Sequence, residues 1–95
     1  MNIFRELAKD IERYGRKICQ DDRIWHQSTL EVPKDPLNGD ISTNIAMIIA
    51  SKTRSNPREI ALNFKDKLQS ISYIAHIEVA GPGFINFTIK ADKWH

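Results

Sequence analysis

Cysteine occurs once in this chain of 95 residues, at Cys19. A single thiol excludes an internal disulfide framework and any zinc site built on several cysteines, and it fits a reducing compartment, so a cytoplasmic location is expected. Near the end of an amphipathic stretch, Cys19 suits quiet packing better than nucleophilic chemistry. An excess of charge is also missing. Fourteen Lys and Arg against twelve Asp and Glu leave a net charge of +2, which permits a nucleic-acid partner without demanding one. No apolar run is long enough to span a membrane, and Met1-Asn-Ile-Phe-Arg-Glu lacks the charged-then-apolar order of a signal peptide. No membrane partner is expected.

The groups that catalysis needs are equally sparse. His26, His76 and His95 lie far apart, and none has a cysteine or second histidine at ligand spacing, so no metal site is expected. His76 and Glu78 share the polar side of one segment, an arrangement more typical of a solvated pair than of a site. Gly81-Pro82-Gly83 is too short for a phosphate-binding glycine loop and no helix follows it. The sequence therefore offers no active site and no cofactor site of its own.

What remains is a chain of ordinary globular composition, 41% apolar and 27% charged, sized for one small domain over residues 1–95. Ile3, Leu7, Ile11, Tyr14 and Ile18 recur at helical spacing, which predicts a helix over 3–19 that Gly15 weakens without ending. Arg5, Lys9, Arg13 and Lys17 line a second face of it. We read that stripe as a solvated face, with Glu6 placed to pair with Lys9 and Glu12 with Arg16; the alternative is a track for phosphates, with Lys9 and Arg13 as candidate contacts. Ile24 to Val32 reads as one strand or two short ones, with Leu30 and Val32 on one face. Pro33 to Gly39, which carries Lys34 as a further candidate phosphate contact, reads as a loop. Asp40 is then the expected cap of a second helix with Ile41, Ile45, Ile48 and Ile49 inward. Asn56-Pro57-Arg58-Glu59 is a strong start for a third helix whose inward residues are Ile60, Phe64, Leu68 and Ile71. Ile77 and Val79 mark a strand, Gly81 to Gly83 a turn, and Phe84 to Lys90 its antiparallel partner. The fold expected is α+β: a two-layer domain with a small antiparallel sheet of three or four strands, covered on one face by three helices.

The last strand holds the most informative alternation. Ile85, Phe87 and Ile89 fall on one face, Phe84, Asn86, Thr88 and Lys90 on the other. A ring, an amide, a hydroxyl and a cation together can stack on a base, read its edge and attract a phosphate. From the strand alone the plainer account stands ahead, with Phe84 folded over the sheet edge and Asn86 serving the turn.

The segments "PKDPLNGDISTNIAM" (33–47), "NPREIA" (56–61) and "IEVAGPGFINF" (77–87) change that balance, because in this order they cover most of the chain. Together they resemble the N-terminal additional domain of arginyl-tRNA synthetase. The resemblance implies a non-catalytic α+β module that contacts the D-loop of tRNA(Arg), with Phe84 stacking on a D-loop base and Asn86 bonding to it. Thr88 and Lys90 complete the expected tRNA-binding set. It also implies that ATP and arginine belong to a catalytic domain acting in cis or in trans. Signatures of the catalytic and anticodon-binding domains are absent up to Lys93-Trp94-His95, which suggests a fragment of a longer synthetase or a free-standing copy of the domain. Ile41 departs from the family, which usually has tyrosine after Gly-Asp, so a contact through that hydroxyl is lost. The competing expectation is a protein-interaction domain that docks a partner through the sheet face, with Phe84 and Trp94 as anchors.

Overall fold

Asn2 caps the first helix by accepting the Arg5 amide on its side chain (3.1 Å), and the apolar spacing then carries α1 from Ile3 to Gly15. The computed structural model describes residues 2–27 and 30–93. After α1 come α2 (Asp22–Gln27), β1 (Leu30–Glu31), a 3₁₀ turn (Pro36–Asn38), β2 (Ile41–Thr43), α3 (Ile45–Thr53), α4 (Pro57–Leu68), β3 (Ile74–Ala80), β4 (Phe84–Ile89) and a 3₁₀ turn at Ala91–Lys93. The four strands form one antiparallel sheet in the order β1-β2-β4-β3. The two-layer α+β architecture matches the expectation, with four α-helices among the described residues where three were expected.

The additional helix replaces part of a strand. Asp21 accepts the Arg23 amide on its carboxylate (3.0 Å) and the Ile24 amide on its carbonyl (3.0 Å), which starts a short helix where Ile24 and Trp25 suggested extended chain. Only Leu30–Glu31 of that segment is strand; Val32 is exposed, and Ser28-Thr29 lie outside the described residues. Trp25 fixes α2 against the end of α1. Its indole donates to the Cys19 carbonyl (3.0 Å), and its ring lies so close to Gly15 that an added Cβ would stand 2.0 Å from Cη2. Gly15 thus ends α1 instead of merely weakening it, and the chain turns through Ile18 and Cys19, whose amides both donate to the Gly15 carbonyl. Gly15→Ala should lower the melting temperature, because displacing the ring and its hydrogen bond outweighs the roughly 0.5–1 kcal/mol that alanine gains in a helix. In a Trp25→Ala background the same change should become neutral or stabilising, and a loss of equal size in both backgrounds would refute the packing account.

The second correction concerns residues 40 to 44. Asp40 does not cap a helix: its carboxylate accepts the Ile89 amide (2.8 Å) and its own amide donates to the Phe87 carbonyl (2.8 Å), which ties it to β4. Ile41 to Thr43 then alternate buried, half-buried, buried as β2, in the sheet's interior between β1 and β4. The helix begins only at Ile45, whose amide is held by the Thr43 hydroxyl (3.2 Å). Ile41 is buried as expected, but in the sheet. The helix expected to be third, α4 in the structure, matches its sequence signal, with Asn56 Oδ1 accepting from the Arg58 and Glu59 amides. It stops at Leu68, leaving Ile71 half-buried in the following turn. Ile3, Leu7, Ile11, Ile45, Ile49, Ile60, Phe64 and Leu68 of the helices join Ile41, Ile77, Ile85, Phe87 and Ile89 of the sheet in one core. No helix among the described residues is long and apolar enough to cross a membrane.

Candidate nucleic-acid interface

The helices cover the face of the sheet that carries Ile85 and Phe87, which turns the alternate residues of β4 to the other side. There the register sets a row straight across the sheet: Glu31 beside Ser42, Ser42 beside Asn86, and Asn86 beside Glu78. One step along, Phe84 pairs with Ala80; in the opposite direction, Thr88 pairs with His76.

Phe84 is held where the chain reverses. Gly83 (φ 144) sits so close to α4 that an added Cβ would lie 3.0 Å from the Pro57 carbonyl oxygen, and Arg58 Nη1 donates to the Gly81 carbonyl (2.8 Å). The start of α4 therefore clamps the turn from which Phe84 emerges. The two separated motifs "NPRE" and "GPGF" are one structural unit. Phe84 itself is 42% exposed, whereas Ile85, Phe87 and Ile89 of the same strand join the core.

Asn86 lies on the same side but is only 7% exposed. The expectation of an open amide is corrected to this extent: the loop after β1 walls it in. Asn86, Phe84, Ser42, Ala80, Glu31, Pro33 and Asn38 line a hollow of about 250 Å³. That is below the about 300–1,000 Å³ of pockets for drug-sized ligands and suits one planar group. The Asn86 side chain makes no hydrogen bond within the described residues, so its carbonyl and NH₂ are both available to a visitor in the hollow. Thr88 is half-buried, and Lys90 is exposed one residue beyond β4, its amide held by the Tyr73 carbonyl (2.9 Å). Lys34 is exposed in the loop that supplies Pro33 and Asn38.

The row itself carries carboxylates, not cations. Glu78 pairs with His76 (2.9 Å), and that hydrogen bond holds its carboxyl below the usual range. With Glu31 at the other end, the centre of the face favours a neutral group and leaves phosphates to its margins. Lys9 and Arg13 are not brought here. They belong to the helical layer, where Arg13 pairs with Asp10 (2.7 Å) and Lys9 borders a separate hollow with Phe4, Arg5 and Leu30. Of the two pairings expected on α1, Glu12–Arg16 forms (2.8 Å), while Glu6–Lys9 is not among the ion pairs of the described residues. Trp94 lies outside the described residues.

Sequence reasoning missed Glu31, Ser42, Pro33 and Asn38 as walls and Arg58 as a clamp. Ser42 was recoverable, since Ile-Ser-Thr between a glycine turn and an apolar run is also a short strand pattern. Arg58 was hidden inside a helix-start signal. No group of three or more His, Cys, Asp or Glu among the described residues is arranged to hold a metal ion.

Comparison with known proteins bears on the same segments. A family model described as the arginyl tRNA synthetase N terminal domain matches residues 1–89. The chain is 56% identical over 94 residues to an arginine–tRNA ligase of Rickettsia africae and to one of Rickettsia prowazekii, and 55% identical over 95 residues to one of Rickettsia bellii. These matches cover 99 to 100% of the chain and 16% of each relative's length.

Proposed function

Because the chain belongs to the arginyl-tRNA synthetase N-terminal domain family, we propose that it is a tRNA-binding module of an arginine–tRNA ligase, contacting the D-loop of tRNA(Arg). A catalytic domain, in cis or in trans, would join arginine to the tRNA at the expense of ATP. The module's part is to hold and orient the tRNA, since rate gains from positioning need no chemistry in the positioning group.

One observation carries this reading: an exposed ring at a clamped turn stands beside an amide that has no partner among the described residues, in a hollow sized for one planar group. An unstacked loop base is such a group, with a face for Phe84 and an edge for Asn86. Thr88 continues the face, and Lys90 and Lys34 stand at its margins where the flanking phosphates would pass. Lys9 and Arg13, on the helical layer, would not touch the same nucleotide.

Hydroxyl-radical footprinting of tRNA(Arg) with the chain tests the reading. Protection should centre on the D-loop, with a dissociation constant of roughly 10⁻⁴ to 10⁻⁶ M that weakens as salt rises. Protection confined to the acceptor or anticodon arm, or none at low salt, would reject it.

A further inference from the structure

A hollow of about 630 Å³ lies away from the sheet face, between α2 and α3. Ile24, Met47 and Ile48 give it an apolar floor, and Arg23, Lys52 and Arg54 stand around it. Ile24 is buried, whereas Met47 and Ile48 are only half covered by the fold.

The rim carries more positive charge than the fold uses. Asp21 Oδ2 faces both Arg23 Nη2 (2.9 Å) and Lys52 Nζ (3.1 Å), so one carboxylate serves two cations. Arg54 makes no ion pair within the described residues. Its backbone is also left-handed (φ 55), a conformation that glycine adopts without penalty and arginine does not. Cations complement the C-terminal end of α3, which accounts for charge at Lys52 and Arg54. It does not account for the half-open apolar floor beside them.

We infer that the α2–α3 groove docks a polypeptide segment that presents an apolar side chain flanked by carboxylates. The apolar floor would take the side chain, and Lys52 and Arg54 would take the acids. A nucleic acid fits less well: among the described residues no aromatic ring lines the groove for a base to stack on, and the cations sit on a rim around an apolar floor instead of tracking a backbone. The surface is separate from Phe84 and Asn86, and its failure would leave the tRNA reading untouched.

Methyl-labelled methionine reports on it directly, because the chain has two methionines and Met47→Leu assigns the signal from the groove. The probes are a short peptide with a central leucine flanked by glutamates, the same peptide with glutamines, and an oligouridylate. The glutamate peptide should shift the Met47 methyl saturably, and the glutamine peptide should bind about tenfold more weakly or worse. Lys52→Gln with Arg54→Gly should weaken the glutamate peptide by about the same factor. Glycine suits the backbone at position 54, so the fold should survive and its melting curve will show that it does. A Met47 signal that ignores the glutamate peptide would overturn the inference, as would equal binding of both peptides. A shift produced by oligouridylate and lost in the double variant would assign the groove to RNA instead.

Discussion

Phe87→Ala should be among the most damaging single substitutions in this domain, lowering its stability by about 3–5 kcal/mol. Phe87 is fully buried, pairs with Ile41 of β2 on one side and Ile77 of β3 on the other, and belongs to the core beneath the helices. Truncation removes the ring's burial and leaves a cavity that β-strands, fixed in register by their neighbours, can close only in part. The surrounding backbone has little freedom to relax, since the Phe87 carbonyl accepts the Asp40 amide and the Ile89 amide is held by the Asp40 carboxylate. For a domain of this size about 1 kcal/mol shifts the melting temperature by about 4–8 °C, and total stability is typically about 5–15 kcal/mol. The variant should therefore melt tens of degrees lower or be partly unfolded at room temperature. Urea denaturation followed by circular dichroism would measure the loss; a change below about 1 kcal/mol would mean that Phe87 is not the packing centre assigned here.

How much of this was legible in the sequence follows from which interactions are local. α4 was readable because its start is encoded within four residues, Asn56 to Glu59, and its buried stripe within the next three turns. The strand faces of β4 were readable because alternation is a property of the chain itself, and Ile85, Phe87 and Ile89 are indeed the residues of β4 in the hydrophobic core, although Asn86 is buried too. The failures occur where a distant partner decides. Ile41 to Thr43 carry enough apolar character for either element, and pairing with β4 from more than forty residues away selects the strand. Asp40 has the side chain of a helix cap, but its partner is the Ile89 amide. Ile24 and Trp25 favour a strand by propensity, and the docking of the indole against Gly15 overrides it. The same rule divides the candidate site. Phe84 and Asn86 stand two residues apart on one strand and could be paired by inspection. Glu31, Pro33, Asn38 and Ser42 come from other segments, and only the sheet register and the loop that follows β1 bring them to the same hollow.

Phe84→Ala should weaken binding of tRNA(Arg) about fivefold to a hundredfold while leaving the melting temperature nearly unchanged. Base–aromatic stacking contributes about 1–3 kcal/mol per base, and the ring is 42% exposed at the edge of the core, so its removal takes away the stacking surface without opening a cavity. The clamp on its turn, formed by Arg58 and the close approach of Gly83 to Pro57, does not involve the ring and should persist. Asn86→Ala should act differently. Its amide has no partner within the described residues, so losing it orphans none of their polar groups and should change stability little. It should lower affinity less than Phe84→Ala yet blur the preference among bases at the contacted nucleotide, because an amide reads an edge whereas a ring accepts any base. Titrations of both variants with D-loop sequence variants of tRNA(Arg), together with melting curves, separate these effects. If Phe84→Ala melts like Phe87→Ala, the ring is part of the core. If it melts like the parent and binds tRNA equally well, the exposed face of β4 makes no stacking contact with tRNA.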